Sequence, residues 1–322
     1  MSFFIQKNIK NLKYKFIKFY AYKSVKLRSF LLKLKGEKRL AERYKSYSHE
    51  KLCSYKLKNT KWGCSYSVFD GVELLERSLK SIRGACNYIN VVYSDVSWYG
   101  KKSDEPILPV LEDLKEKKLI DEIIFYEPDL NLSAGENELK KRNLGLKYAK
   151  KADVDYFMTI DVDEFYLQEE MEIAKRKIIA LGITHSFCNI IDYFVLPVFA
   201  YRASKNCVSF FSKLNWNSVL KLNEKTITLV DPTRQMSDCF KSKYYLLLCI
   251  EMHHMALIRK NVISKFRNSS ASIYLEGLNS LDKLIKNDLK DVFRTNDLFN
   301  LKDLAQKLLR KQTDTNFDFD SV

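Results

Sequence analysis

From residue 61 onward, apolar residues recur in two rhythms that alternate along the chain. Short β-rich runs at 64–69, 88–93, 122–126 and 156–160 predict strands, each bounded by polar residues. Between them, Val72, Leu75, Leu79 and Ile82 recur at helical spacing, and further helices are predicted over about 107–118 and 137–150. Asp70 stands where the first of these helices needs an N-cap. Alternation of this kind points to an α/β fold: a mostly parallel sheet with helices on both faces. In such sheets ligands sit beyond the carboxyl ends of the strands, where the polar clusters of this chain lie.

After Leu167 the pattern becomes less regular, with strand-like runs at 186–190, 194–200 and 244–250. Leu278, Leu281, Leu284 and Ile285 begin a helical series that Leu301, Leu304 and Leu308 continue, predicting a helical C-terminal tail with a polar end. At the other end, Ile5, Ile9, Leu12, Phe16 and Phe19 recur at spacings of 4, 3, 4 and 3, with Lys7, Lys10, Lys13, Lys15 and Lys18 on the remaining surface. The expected organisation is a basic helical extension over 1–55, an α/β domain over 60–275 and the tail over 276–322.

Charge sharpens this division. The chain carries a formal +15, and residues 1–45 hold fourteen Lys and Arg against only Glu37 and Glu42. The remainder is close to neutral, which speaks against a nucleic-acid-binding core, because such a core places its basic surface on the folded domain. A basic amphipathic start suits an anionic membrane surface. It equally suits a helix docked on its own domain with a solvated Lys face. No stretch approaches the ~20 apolar residues needed to span a bilayer, and the start lacks the apolar core of a secretory signal. The expected location is the cytoplasm, at the inner face of the plasma membrane. Seven scattered Cys without a C-x-x-C pair read as free thiols.

Three clusters carry candidate chemistry. Asp161-Val162-Asp163 follows a predicted buried strand, and carboxylates two apart there can meet one hard divalent cation, Mg²⁺ or Mn²⁺. Such a triplet is also a common solvated turn. Glu251-Met252-His253-His254-Met255 closes the last strand-like run, and an imidazole can complete a metal shell or bond a diphosphate. Side-chain alternation allows only one of His253 and His254 into a site. Arg259, Lys260, Lys265 and Arg267 follow and can grip phosphate. The third cluster is the helix start Asn137-Glu138-Leu139-Lys140-Lys141-Arg142-Asn143, which reads equally as an exposed helix with Glu138 paired to Lys141 and Arg142.

Residues 64–83, 91–97, 141–149 and 156–166 together resemble the donor-binding half of GT-A-fold glycosyltransferases, particularly bacterial family 2 relatives. The resemblance implies a Rossmann-like GT-A domain over roughly 60–275. It places nucleotide contacts at Phe69 and Asp70, at Asp95 and Ser97, and at Lys141, Arg142 and Asp161. It implies a metal held by Asp161 and Asp163, whose shell His253 or His254 would complete on the reading of that cluster given above. Arg142-Asn143-Leu144-Gly145-Leu146 is similar to the family's Arg-Asn-x-Gly-hydrophobic helix. Two departures stand out: the acidic turn after the second strand is reduced to Ser94-Asp95-Val96-Ser97, and the family's Glu-Asp pair has no counterpart.

The expectation is therefore a metal-dependent glycosyltransferase using a nucleotide-sugar, a UDP-sugar by resemblance. The acceptor would be a glycan or lipid-linked glycan of a bacterial surface polysaccharide. An inverting reaction needs a carboxylate base, for which Asp192, Asp231, Asp238 and Glu251 are candidates, Asp231 and Glu251 foremost. A sugar-phosphate nucleotidyltransferase would share the layout but normally opens with a Gly-rich phosphate loop, and none follows the first strand. A non-enzymatic basic membrane- or nucleic-acid-binding protein is the third possibility.

Overall fold

The computed structural model describes residues 38–194, 196–201, 207–222, 231–239, 244–258 and 313–314. The amphipathic segment at 5–19, the basic residues Arg259, Lys260, Lys265 and Arg267, and the leucine series of the C-terminal tail lie outside them. The chain divides between Asn59 and Thr60. The first unit contributes one described helix, α1 (Lys38–Asn59), which ends on Lys56 and Lys58, cations that favour a helix C-terminus.

The second unit is built on a mixed sheet. Strands β1 (Trp62–Val68), β2 (Tyr88–Tyr93), β3 (Glu122–Phe125) and β4 (Tyr156–Asp161) run parallel in the order β3-β2-β1-β4. Helices α2 (Val72–Arg83), α3 (Ile107–Glu116) and α4 (Ala134–Lys151) connect them. The chain turns at β5 (Glu164–Phe165) into α5 (Gln168–Leu181), then adds β6 (His185–Phe194), β7 (Leu196–Tyr201) and β8 (Cys207–Lys213). β8 pairs antiparallel with β4 and β6, so the parallel half continues directly into an antiparallel one. β9 (Tyr244–Leu257) runs parallel to β6 and antiparallel to β5. The two-residue β10 (Thr313–Asp314) pairs with β7.

All six residues of β2 are buried, as are all but Ser67 of β1, the mark of strands covered on both faces. β1 lies between β2 and β4. Successive connections therefore leave it on opposite sides, and beyond the carboxyl ends of β1 and β4 lies the switch point at which sheets of this kind place a ligand crevice. The α/β class and the four parallel strands are those the sequence pattern predicts. The cap differs: α2 is capped by Gly71 in the left-handed region (φ 72°) with no side-chain bond, so Asp70 does not serve as its cap.

Two elements escaped the periodicity. The buried face of α5 includes Lys175 among Met171, Ala174, Ile178 and Ile179, which breaks its apolar stripe. Lys175 Nζ is satisfied by Ala85 O (2.8 Å) and Glu172 (2.6 Å), and lies over the Trp62 ring. β8 was masked by its neighbours, since its run of Val208, Phe210 and Phe211 is interrupted by buried serines. All seven cysteines are free, as expected.

Helix α4 positions the crevice. Ser133 and Glu136 form a capping box at its start. Its buried face runs Asn137, Glu138, Lys141, Arg142, Gly145, Leu146, Ala149, polar at the crevice end and apolar at the other. Asn143 Nδ2 donates to Leu139 O and Leu220 O, and its Oδ1 accepts from Leu220 N, which fastens the segment after β8. At Gly145 the helix touches the sheet: an added Cβ would lie 1.9 Å from Ser65 Oγ and 2.8 Å from Ser65 Cβ. Asn90 Nδ2 donates to Gly145 O (3.0 Å) across the same contact. Gly145→Ala is therefore expected to lower the unfolding free energy by about 1–3 kcal/mol, as overpacking does, despite Ala's better helix propensity. Urea denaturation checks this; a raised midpoint would show that the helix–sheet contact yields freely.

Candidate functional site

The turn from β4 to β5 is Asp161-Val162-Asp163-Glu164. Glu164 Oε2 accepts from Asp161 N (3.1 Å), which folds the turn back on itself, and Asp163 O accepts from Met255 N (2.7 Å), which ties it to β9. Val162, Asp163 and Glu164 are all buried.

Register then chooses between the two histidines. Glu164 lies opposite His254 and Phe165 opposite His253 across the β5–β9 pair, while Asp192 lies opposite His254 and Ile191 opposite His253 across β6–β9. Neighbours across a sheet share a face. One face gathers Glu164, His254 and Asp192; the other gathers Phe165, Ile191, Tyr193 and Met255 in an apolar cluster. His253 belongs to that second face, where its Nδ1 shares a 2.9 Å hydrogen bond with the Tyr193 hydroxyl. His254 is half-buried, with Nδ1 2.7 Å from Asp192 Oδ1 and Nε2 3.9 Å from Asp163 Oδ2.

Beside this pair sits a buried ionic cluster. Arg234 is fully enclosed, and its Nη2 lies 2.9 Å from Asp161, 2.5 Å from Glu164 and 2.8 Å from Asp231. Its Nη1 donates to Glu164 Oε2 (2.7 Å) and Thr159 O (3.3 Å). Arg142, also buried, spans Glu138 (2.6 Å) and Asp161 (3.1 Å). Asp231 reaches Arg234 from a left-handed residue (φ 50°) that leads into the 3₁₀ turn Pro232–Arg234. Asp tolerates this conformation better than most side chains. Burial pushes the Glu164 carboxyl up, and Arg234 pulls against it. The Glu138–Arg142 pair expected from sequence is present, but inside the protein, and Lys141 turns elsewhere.

Asp161, Glu164 and Asp231 bring carboxylate oxygens within 4.8 Å of one another, a spacing that could suit a metal ion. The Arg234 guanidinium already supplies the positive charge they share. Asp163 and His254 present a different opportunity. An ion about 2.1 Å from two ligand atoms holds them between about 3.0 Å apart at a right angle and about 4.2 Å when opposed. Their 3.9 Å separation lies between these two octahedral values, so a small adjustment of either side chain would bring both atoms onto one ion. Four carboxylates (Glu138, Asp161, Glu164, Asp231) pair with the two guanidiniums, Asp163 lies beside the His254 imidazole, and Lys141 acts on Asp161 and Glu138, so the excess of carboxylates is partly offset.

Lys141 lies at the ends of β1 and β2. Its Nζ donates to Val68 O (2.7 Å), which also accepts from Ser94 N (3.1 Å), and it lies 5.2 Å from the Trp98 ring centroid. Phe69 and Asp70, which follow Val68 in the chain, are half-buried, and Asp95 is exposed. Ser97 is buried and organises its own loop: its Oγ accepts from Tyr99 N and Lys101 N. Among the described residues Ser94 Oγ, Arg142 Nη1, Thr159 Oγ1 and Arg234 Nε are buried without a hydrogen-bond partner. Trp62 Nε1, Asn90 Oδ1 and His185 Nδ1 are in the same condition elsewhere in the core, so the feature does not by itself mark a site.

Other candidates lie apart from the cluster. Glu251 N donates to Glu170 Oε2 (3.2 Å) beside a cavity of about 770 Å³ lined by Leu167, Glu170, Ile173 and Arg176, and burial pushes the Glu170 carboxyl up. Asp238 accepts from Asn215 (3.2 Å) and faces His185 (3.5 Å). Sequence reasoning missed Arg234 and Glu164 as the centre of the cluster. Their signal is weak: Arg234 follows Asp231 by three residues, a spacing shared by many surface pairs.

No family model matches the chain, and no curated protein sequence matches it. Among solved structures it is similar to S. aureus TarS, with 14% identity and a TM-score of 0.38 over 67% of this chain and 40% of that one. TarS 1–349 in complex with UDP-GlcNAc gives 18% identity and a TM-score of 0.29 over 42% and 35%. GalNAc-T7 with UDP, GalNAc and Mn²⁺ gives 11% identity and a TM-score of 0.39 over 61% and 44%. The chain spans less than half the length of each of these structures.

Burial holds the Lys141 ammonium well below its ordinary range, at about 7, with Arg142 adding to the effect and Asp161, Asp70 and Glu138 opposing it. Between that value and the ~10.4 of an unfolded lysine, the unfolded chain binds the extra proton. Stability therefore rises with pH through this window and is lowest below it. Lys141→Met should remove this component. The wild-type minus variant unfolding free energy is expected to climb by up to about 1.4 kcal/mol per pH unit from pH 7 to 9. A flat difference in urea titrations would place the lysine's titration elsewhere.

Proposed function

We propose that this chain is a metal-dependent glycosyltransferase that transfers a sugar from a nucleotide-sugar, a UDP-sugar, to a glycan or lipid-linked acceptor of a bacterial surface polysaccharide. The observation that carries the reading is the Asp163–His254 pair, 3.9 Å apart at the carboxyl end of β4 and beside the crevice between β1 and β4. A divalent ion held there, Mn²⁺ or Mg²⁺, would neutralise charge on the departing nucleoside diphosphate.

The remaining roles follow from position. Val68, Phe69, Asp70, Asp95, Ser97 and Lys141 surround the ends of β1 and β2 and would take the base and ribose. Asp161, fixed by Arg142 and Arg234, would complete the donor side. In an inverting transfer the acceptor oxygen bonds to the anomeric carbon, the bond to the diphosphate oxygen breaks, and a carboxylate takes the acceptor proton. Asp231, held by Arg234 beside Asp161, is the proposed base, in preference to Glu251 beside Glu170. No helix among the described residues is long and apolar enough to cross a membrane. We assign residues 1–45 to the inner face of the plasma membrane, on their charge and the 5–19 pattern. Residues 60–275 form the transferase domain in this reading.

Thermal unfolding with UDP, GDP, CMP and ADP, with and without Mn²⁺, tests it. One nucleotide at 100 times its Kd should add about 2.7 kcal/mol of stability, with the Mn²⁺-dependent part lost in Asp163→Ala and His254→Ala. No shift with any nucleotide, or the same Mn²⁺ increment in both variants, would overturn the proposal.

A further inference from the structure

Whether His254 can serve an ion depends on which ring nitrogen it offers. Imidazole has two, and the hydrogen bond made by one decides the role of the other. In this site the bond is made by Asp192: its Oδ1 lies 2.7 Å from His254 Nδ1. The contact follows from strand pairing, since Asp192 on β6 is the direct register partner of His254 on β9. The β6–β9 register shifts just beyond, between Asp192 and Phe194, an irregularity of the kind that re-aims side chains beside sites. The carboxylate on the other flank cannot substitute. Glu164 is committed to Arg234 through both oxygens and to Asp161 N.

We propose that Asp192 is a positioning residue, accepting from His254 Nδ1–H so that Nε2 is the atom turned to Asp163 and offered to a divalent cation. This rests on reading Asp163 and His254 as the ion's ligands. A carboxylate behind a ligating histidine fixes ring orientation and tautomer and strengthens the ligand, and its loss typically weakens metal affinity roughly 10–100-fold. An ordinary half-exposed His–Asp pair would instead contribute little to anything measured.

The test uses the full chain with UDP and Mn²⁺. Electron spin-echo modulation of bound Mn²⁺ should report ¹⁴N coupling that His254→Ala abolishes. In Asp192→Ala the Mn²⁺ affinity should fall roughly 10–100-fold and the coupling should weaken, while metal-free UDP affinity stays unchanged. Asp192→Asn, whose amide oxygen can accept the same N–H, should restore most of both. Wild-type Mn²⁺ affinity and coupling in Asp192→Ala would overturn the role of Asp192 alone. Bound Mn²⁺ without ¹⁴N coupling in the unsubstituted protein would overturn the ligand reading itself, and this inference with it. A second measurement needs no variant: with Cd²⁺ and UDP, ¹⁵N NMR should show His254 protonated at Nδ1 and metal-shifted at Nε2. The reverse assignment would overturn the proposal.

Discussion

The guanidinium of Arg234 is enclosed among Asp161, Glu164 and Asp231, and the geometry of the crevice depends on that one group. It joins the tight turn between the end of β4 and the start of β5 to the 3₁₀ turn at Pro232–Arg234, some seventy positions later in the chain. A buried ion pair of this kind is weak evidence for stability, because desolvation offsets much of the attraction. Its consequence here is positional. With Glu164 drawn to Arg234 and to Asp161 N, the turn closes tightly, and Asp163 is left buried and directed at β9. A planar fork that makes several fixed hydrogen bonds suits this role; a lysine's point charge would not set the same angles.

The division of labour between adjacent residues follows from sheet parity. His253 and His254 differ by one position, and that difference sends one to Tyr193 in the apolar cluster and the other to Asp163 and Asp192. Lys141 and Arg142 show the helical counterpart. Both lie on the buried face of α4, yet one reaches Val68 O at the end of β1 and the other reaches Asp161 at the end of β4. Gly145, a turn further along, lets the helix approach closely enough for both reaches.

The parallel half was legible because β1, β2 and β4 are almost wholly buried and the first connecting helix carries a clean apolar stripe in Val72, Leu75, Leu79 and Ile82. The Asp161–Asp163 turn was legible for the same reason, since it terminates such a strand. What lay beyond periodicity was polar burial. Lys175 hid α5, and the polar half of the α4 face made Glu138 and Arg142 resemble a solvated pair. Arg234 meets Asp161 and Glu164 across 73 and 70 positions of sequence, and no local rule reads a contact of that range. The choice of His254 over His253 likewise needed the β5 and β6 registers, which no single strand contains.

The central claim is that Asp163 and His254 hold a divalent ion beside a nucleotide at the end of β4. Its most direct test is anomalous diffraction near the manganese edge from crystals grown with Mn²⁺ and UDP. The account requires an anomalous peak within about 2–2.5 Å of both Asp163 Oδ2 and His254 Nε2, with the nucleotide's diphosphate adjoining it. A peak among Asp161, Glu164 and Asp231 with Arg234 displaced, or ordered UDP with no metal near Asp163, would contradict it.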